Sequence, residues 1–152
     1  MGYSMYQCGA SFRIKRENIP EAMKAIRDLA GVEEGEPTNT YSWVPKKFYE
    51  AEDIEGLLGN WRWDDIDIDK NGDIVHIRFT GEKLGDDEEL MRALAPFVEH
   101  MSYIEMVGED DNRWRWVFVW GELREEHPVT SWPYLTNLPM RELIRAAEEP
   151  EG

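Results

Sequence analysis

The alternation of apolar and polar positions divides the chain into short elements. Residues 5–15, MYQCGASFRIK, close on Phe12 and Ile14 with Arg13 and Lys15 between them, the period-two pattern of a strand buried on one face. Asn18 then stands where a helix cap belongs, with Pro20 and Glu21 in the first turn. Ile19, Met23, Ile26 and Leu29 recur at helical spacing until Gly31, so the pattern predicts a helix over 19–30. The stretch GVEEGEPTNT has no periodicity and reads as an exposed connection. Tyr41, Trp43 and Val44 fit a short strand or aromatic anchor, and residues 50–58 a short acidic helix.

The strongest local pattern is WRWDDIDIDKNGDIVHIRFT, residues 61–80, where Asn71-Gly72 suits a two-residue type I′ turn between alternating arms. That turn sets Ile68 opposite Val75, Ile66 opposite Ile77 and Asp64 opposite Phe79 on one face. The other face pairs Asp67 with His76 and Asp65 with Arg78. Trp61 and Trp63 then have the wrong parity for the apolar face, which requires a bulge near Asp64-Asp65 or burial on both sides.

A third helix follows at DDEELMRALAPFVEH, its acidic first turn suited to the helix dipole, with a kink or stop near Pro96. SYIEMV and RWRWVFVW make a second hairpin, Gly121-Glu122 turns the chain into a short edge strand LREEH, and MRELIRAAEE reads as a terminal amphipathic helix. The expected class is α+β: an antiparallel sheet with helices on one face, in ferredoxin-like β-α-β-β-α-β order with extra C-terminal strands and that terminal helix. One domain is expected over residues 1–148, with 149–152 a frayed tail.

Composition narrows the chemistry. Thirty-two acidic against 17 basic side chains give a formal charge of -15, which opposes direct binding of nucleic acid or an anionic membrane. One cysteine, Cys8, excludes an internal disulfide. With no signal-peptide stretch and no run of 18 apolar residues, the expected compartment is the cytoplasm.

No catalytic set and no cofactor site emerges. The serines lack a Gly-x-Ser-x-Gly elbow, the three histidines lack metal-ligand spacing, and no glycine-rich phosphate loop precedes a helix. Asp67, Asp69, Asn71, Gly72, Asp73 and Ile74 follow the opening of a calcium loop, but its twelfth position is Arg78, a cation in place of the bidentate glutamate. A hairpin turn with solvated acids explains the same letters, and no metal is expected.

Charge patterning and tryptophan offer two different functions. Residues 50–73 carry nine acids and residues 82–89 five, whereas residues 13–27 are basic. Asp65, Asp67 and Asp69 would point the same way on one strand about 6.6–6.8 Å apart. The first reading is a non-enzymatic module whose surface of Asp53, Glu55, Asp64, Asp65, Asp67, Asp69, Asp73, Asp86, Asp87 and Glu88 engages a basic protein, such as a nucleic-acid-binding host protein. A face that merely solubilises the chain accounts for the same residues. The second reading uses the seven tryptophans. Trp43, Trp61, Trp63, Trp120 and Trp132 would stack on a sugar or nucleotide, against the plainer role of core filling. A carboxylate-pair hydrolase ranks third.

SYIEMVGEDDNRWRWVF at 102–118, with GEKLGDDEELMRALAPFVEHM before it, resembles small uncharacterised proteins of bacteriophages, prophages and bacteria. Their pattern is a Tyr-Ile-Glu strand, a Gly-Glu-Asp turn and a Trp-Arg-Trp strand. The resemblance spans residues 81–118 and implies no established activity, so no catalytic residue is carried over. It implies an accessory gene of mobile-element origin, a setting in which small acidic proteins often block a host protein.

Overall fold

The computed structural model describes residues 2–132. The expected terminal helix and the 149–152 tail lie outside these residues. The described chain is α+β, with three helices and antiparallel sheets. Strand β1, Met5–Ser11, is followed by helix α1, Ile19–Arg27, the small strands β2, Gly31–Glu33, and β3, Glu36–Thr38, and helix α2, Ile54–Asn60. The hairpin β4, Trp63–Ile68, and β5, Ile74–Phe79, leads to helix α3, Asp87–Leu94. The strands β6, Ser102–Gly108, β7, Arg113–Val119, and β8, Glu122–Glu126, complete the described elements.

The expected ferredoxin-like sheet is not formed as one ladder. Strands β1, β6, β7 and β8 make a four-stranded antiparallel sheet in that order, while β4 and β5 pair only with each other. Where β1 meets β5, the isolated bridges Ser4–Lys83 and Ile14–Ile74 are antiparallel; the ferredoxin-like order needs those strands parallel. Between the bridges, the Gln7 side chain stands in for the ladder. Its Nε2 donates to the Ile77 carbonyl at 3.1 Å, and its Oε1 accepts from the Phe79 N–H at 2.8 Å.

One core joins these parts. Ala22 and Ile26 of α1, Leu57 and Leu58 of α2, and Leu90, Met91 and Leu94 of α3 cluster with Ile104, Met106, Trp114, Trp116 and Phe118 from β6 and β7. The helices therefore cover the face on which the even-numbered residues of β6 and β7 point inward. The opposite face carries Glu105, Arg113 and Arg115.

The first hairpin departs from its expected register. Trp63 pairs with Phe79, Asp64 with Arg78, Asp67 with His76 and Ile68 with Ile74, with irregularities between Asp64 and Ile68. Asp65 takes a left-handed φ of 49° at the bulge, which reverses the parity upstream and sends Trp63 into the core. The turn is also longer than expected. The Asp69 N–H donates to the Asp73 carbonyl at 2.9 Å and the Gly72 N–H to the Asp69 carbonyl at 3.0 Å; Gly72, at φ 85°, takes the left-handed place and Asn71 does not. This is a three-residue turn with a glycine bulge. Two-residue turns with both central φ positive occur instead at Glu34-Gly35 and Trp120-Gly121.

Other differences are local. The Glu34-Gly35 turn makes a ribbon of β2 and β3 in what reads as a connection, because it buries almost nothing and so leaves no hydrophobic alternation. Asn18 makes no side-chain cap, since a 3-10 turn at Arg16–Asn18 leads directly into α1, and that helix ends at Arg27. Tyr41 is an anchor rather than a strand residue, packing on Trp61 with ring centroids 5.0 Å apart. Helix α2 starts later than expected because Asp53 caps it, Oδ1 accepting the Gly56 N–H at 2.7 Å. No helix of the described residues is long and apolar enough to cross a membrane.

Candidate functional site

The ten carboxylates proposed as one surface separate into two populations. Asp87 is buried. Its Oδ2 pairs with the Arg62 guanidinium at 2.9 Å and accepts the Gly85 N–H at 3.0 Å, and its Oδ1 accepts the Trp63 indole N–H at 3.0 Å. Arg62, in a left-handed conformation at φ 70°, also donates to the Lys83 carbonyl at 2.6 Å. Asp87 is thus removed from the surface: the first residue of α3 turns inward because two donors on the β4 end require an acceptor there. Burial pushes its carboxyl up, against the pull of Gly85, Arg62 and Trp63.

Asp69 and Asp73 are also occupied. Both converge on Arg13, at 3.1 and 2.8 Å, and Asp73 Oδ1 accepts the Arg16 N–H at 2.8 Å. Asp69 Oδ1 accepts the Asn71 and Asp73 N–H groups at 2.9 and 3.0 Å, folding the turn. These letters of the calcium-loop pattern are therefore held around a guanidinium. Asp86 is half-buried and accepts the Ser42 N–H at 2.9 Å, while Glu88 forms an i,i+4 pair with Arg92 at 3.3 Å.

The remaining five, Asp53, Glu55, Asp64, Asp65 and Asp67, are exposed and lie on α2 and β4, two consecutive elements in contact with each other. Asp65 reaches Arg78 only at 3.9 Å. Among the described residues the other four carry no ion pair, although Asp64 accepts the Thr80 hydroxyl at 2.7 Å. Strand β4 pairs only with β5, so Asp64, Asp65 and Asp67 lie on an edge strand. Charge and a bulge on such an edge also deter pairing with a second sheet.

The tryptophan surface is corrected in part. Trp61 and Trp63 are 1% and 0% exposed, with Trp61 against Tyr41 and Phe48 and Trp63 against Phe79 and Trp116. Neither can stack on a ligand. Trp63 turns inward through the bulge at Asp65, whereas Trp61 is buried as the residue that closes α2, against Tyr41 and Phe48. Trp43, Trp120 and Trp132 are exposed. Trp43 lies against the Gly85 backbone, and Trp120 stacks on His100. The cavities beside Trp114 and Trp120 are each lined by one indole among the described residues.

A further cluster, on the face of the sheet opposite the described helices, was not among the sequence candidates. Glu105 accepts Arg115 Nε at 2.8 Å and the Cys8 thiol at 3.1 Å, and Arg115 stacks over Tyr103 at 4.4 Å. Only strand parity on β6 and β7 could have placed Glu105 and Arg115 together, because Cys8 arrives from a strand about a hundred residues away. The Cys8 hydrogen bond, together with Arg115, holds the Glu105 carboxyl below its ordinary value. Asp110 is likewise lowered, chiefly by the Tyr3 hydroxyl, and that bond pushes Tyr3 up to about 12. Burial raises the Asp69 carboxyl, but the Asp73 N–H and Arg13 outweigh it and the net direction is down.

For these three carboxylates the folded value lies below the unfolded one. Their contribution to stability is present above the unfolded range and is lost as pH falls through the folded values. The urea midpoint is expected to stay level from about pH 7 to 5 and to fall below about pH 4. Asp87 has the opposite sign and does not contribute to this acid loss. A midpoint that rises on acidification below about pH 4 would contradict the assignment.

No family model matches this chain, and neither a curated protein nor a solved structure does.

Proposed function

We propose that the chain is a non-enzymatic, acidic protein-binding module whose α2–β4 surface meets a basic protein. The observation that supports this is the unequal treatment of the carboxylates. Arginines neutralise Asp69, Asp73, Asp87 and Glu105. Asp53, Glu55, Asp64 and Asp67, on adjacent elements, are exposed and carry no ion pair among the described residues. Such an array favours encounter with an opposite surface and disfavours partners of like charge. The resemblance at residues 81–118 would make a phage-type inhibitor the kind of module, and the charge pattern would make a nucleic-acid-binding host protein in the cytoplasm the kind of partner. Burial of Trp61 and Trp63 counts against the sugar or nucleotide reading, so the carboxylate surface is the better-supported one.

The test is binding of the full chain to folded basic proteins and to arginine-rich peptides at about 50 and 300 mM salt. Affinity is expected to fall with salt, and the triple variant Asp64→Asn, Asp65→Asn, Asp67→Asn to lose about ten-fold or more. Asp53 stays unchanged because it caps α2. Asparagine also tolerates the left-handed backbone at position 65, so the variant's melting temperature should match the parent's. Binding indifferent to salt, or equal in parent and variant, sinks the reading and leaves edge protection as the role of these acids.

A further inference from the structure

The turn joining β7 to β8 contains Trp120 and Gly121, with φ of 49° and 82°. Both central residues are left-handed, the type I′ geometry whose first position favours asparagine, aspartate or glycine. A tryptophan there carries a backbone cost that its neighbours do not recover by burying it, since Trp120 is 79% exposed. The indole is nevertheless fixed. Its ring stacks on His100 with centroids 3.6 Å apart and planes 15° from parallel, and its backbone N–H donates to His100 Nδ1 at 3.1 Å. Next to His100, Met101 repeats the combination, with φ 70° and 62% exposure.

A cavity of about 410 Å³ opens beside this indole, lined by Lys15, Pro96, Phe97, Glu99, His100 and Trp120 among others. Glu99 is occupied by Arg13 at 3.3 Å, whereas Lys15 is exposed and has no ion pair among the described residues. The cavity thus offers a preorganised indole, an apolar wall and one free cation. Aromatic anchors of this kind dominate binding energy at protein interfaces. A partner that fills the site must supply an apolar side chain and a carboxylate. The chain's net charge does not forbid this, because at physiological salt charges beyond about 8 Å are screened.

We propose that Trp120 and this cavity are a docking point for a partner protein's apolar peptide segment flanked by carboxylates. The site shares no residue with the β4 acids: it accepts an acidic segment where they face a basic surface, and neither depends on the other.

Trp120→Asn makes an Asn-Gly turn, so its melting temperature should equal or exceed the parent's. A random 12-residue peptide library displayed on yeast is selected on the full chain at physiological salt, and enriched peptides are measured on the parent, Trp120→Asn and Lys15→Glu. Peptides combining a large apolar residue with Asp or Glu are expected, weakened about ten-fold or more by Trp120→Asn and measurably by Lys15→Glu. No enrichment, enrichment of basic peptides, or equal binding to Trp120→Asn overturns the proposal. So does a lower melting temperature for Trp120→Asn, which would make the indole structural. Self-association that requires Trp120, seen by sedimentation, would assign the surface to a second copy and overturn it as well.

Discussion

Replacing Asp87 by alanine is expected to lower stability by about 3–5 kcal/mol, read as a shift in the urea midpoint at unchanged slope. The carboxylate is 1% exposed, and its removal leaves Arg62 Nη2 and the Trp63 indole N–H without their acceptor, while Arg62 Nη1 keeps the Lys83 carbonyl. Arg62 Nε already lacks a partner in this buried place, so the arginine cannot easily redistribute its bonds. For a domain of ordinary stability, about 5–15 kcal/mol, such a loss removes a large fraction of the total. Asp87→Asn retains an acceptor oxygen but loses the charge, and should fall between parent and alanine variant. A loss below about 1 kcal/mol for Asp87→Ala, the range of exposed pairs, would show that water reaches the site.

Trp63→Ala is expected to cost about 3–5 kcal/mol through the cavity it opens between Phe79 and Trp116. Trp63→Phe keeps an aromatic ring near Phe79 but removes the donor to Asp87 together with part of the indole's volume, so its polar component is read against the same change at other buried indoles. Of the buried indoles, those of Trp61, Trp114 and Trp116 have no hydrogen-bond partner for Nε1 among the described residues, so the same comparison at those positions should show no such polar component. A double-mutant cycle of Trp63→Phe with Asp87→Asn should yield a coupling of about 0.5–3 kcal/mol. Strict additivity would mean that the 3.0 Å contact contributes nothing separable.

The carboxylate surface illustrates how far local pattern reaches. Strand alternation correctly places Asp65 and Asp67 on solvent, and the acidic letters near 50–55 on an exposed helix start. It could not distinguish Asp67 from Asp69, which alternation puts on one strand with the same parity although β4 ends at Ile68 and Asp69 opens the turn. What separates them is Arg13, which arrives from β1 and draws Asp69 and Asp73 together. Asp86 and Asp87 are indistinguishable in sequence. One faces the Ser42 loop and the other the interior because Arg62 and Trp63, brought alongside by the β4 bulge, supply donors on only one side.

Periodicity and turn chemistry determined the positions of α1, α3, the β4–β5 hairpin and the β6–β7 hairpin, since each buries a stripe or face that repeats within a few residues. They also showed that Trp61 and Trp63 conflict with a regular hairpin, which called for a bulge near Asp64-Asp65 or burial on both sides; the bulge at Asp65 resolves it for Trp63, while Trp61 lies before the strand. Tertiary structure decided the rest. The alignment of β5 beside β1 through a glutamine side chain, the choice of which carboxylates arginines neutralise, and the exposure of Trp120 while Trp116 is buried all depend on residues distant in sequence. Such contacts form only when the core closes, and their energies, a few kcal/mol each, leave no period along the chain.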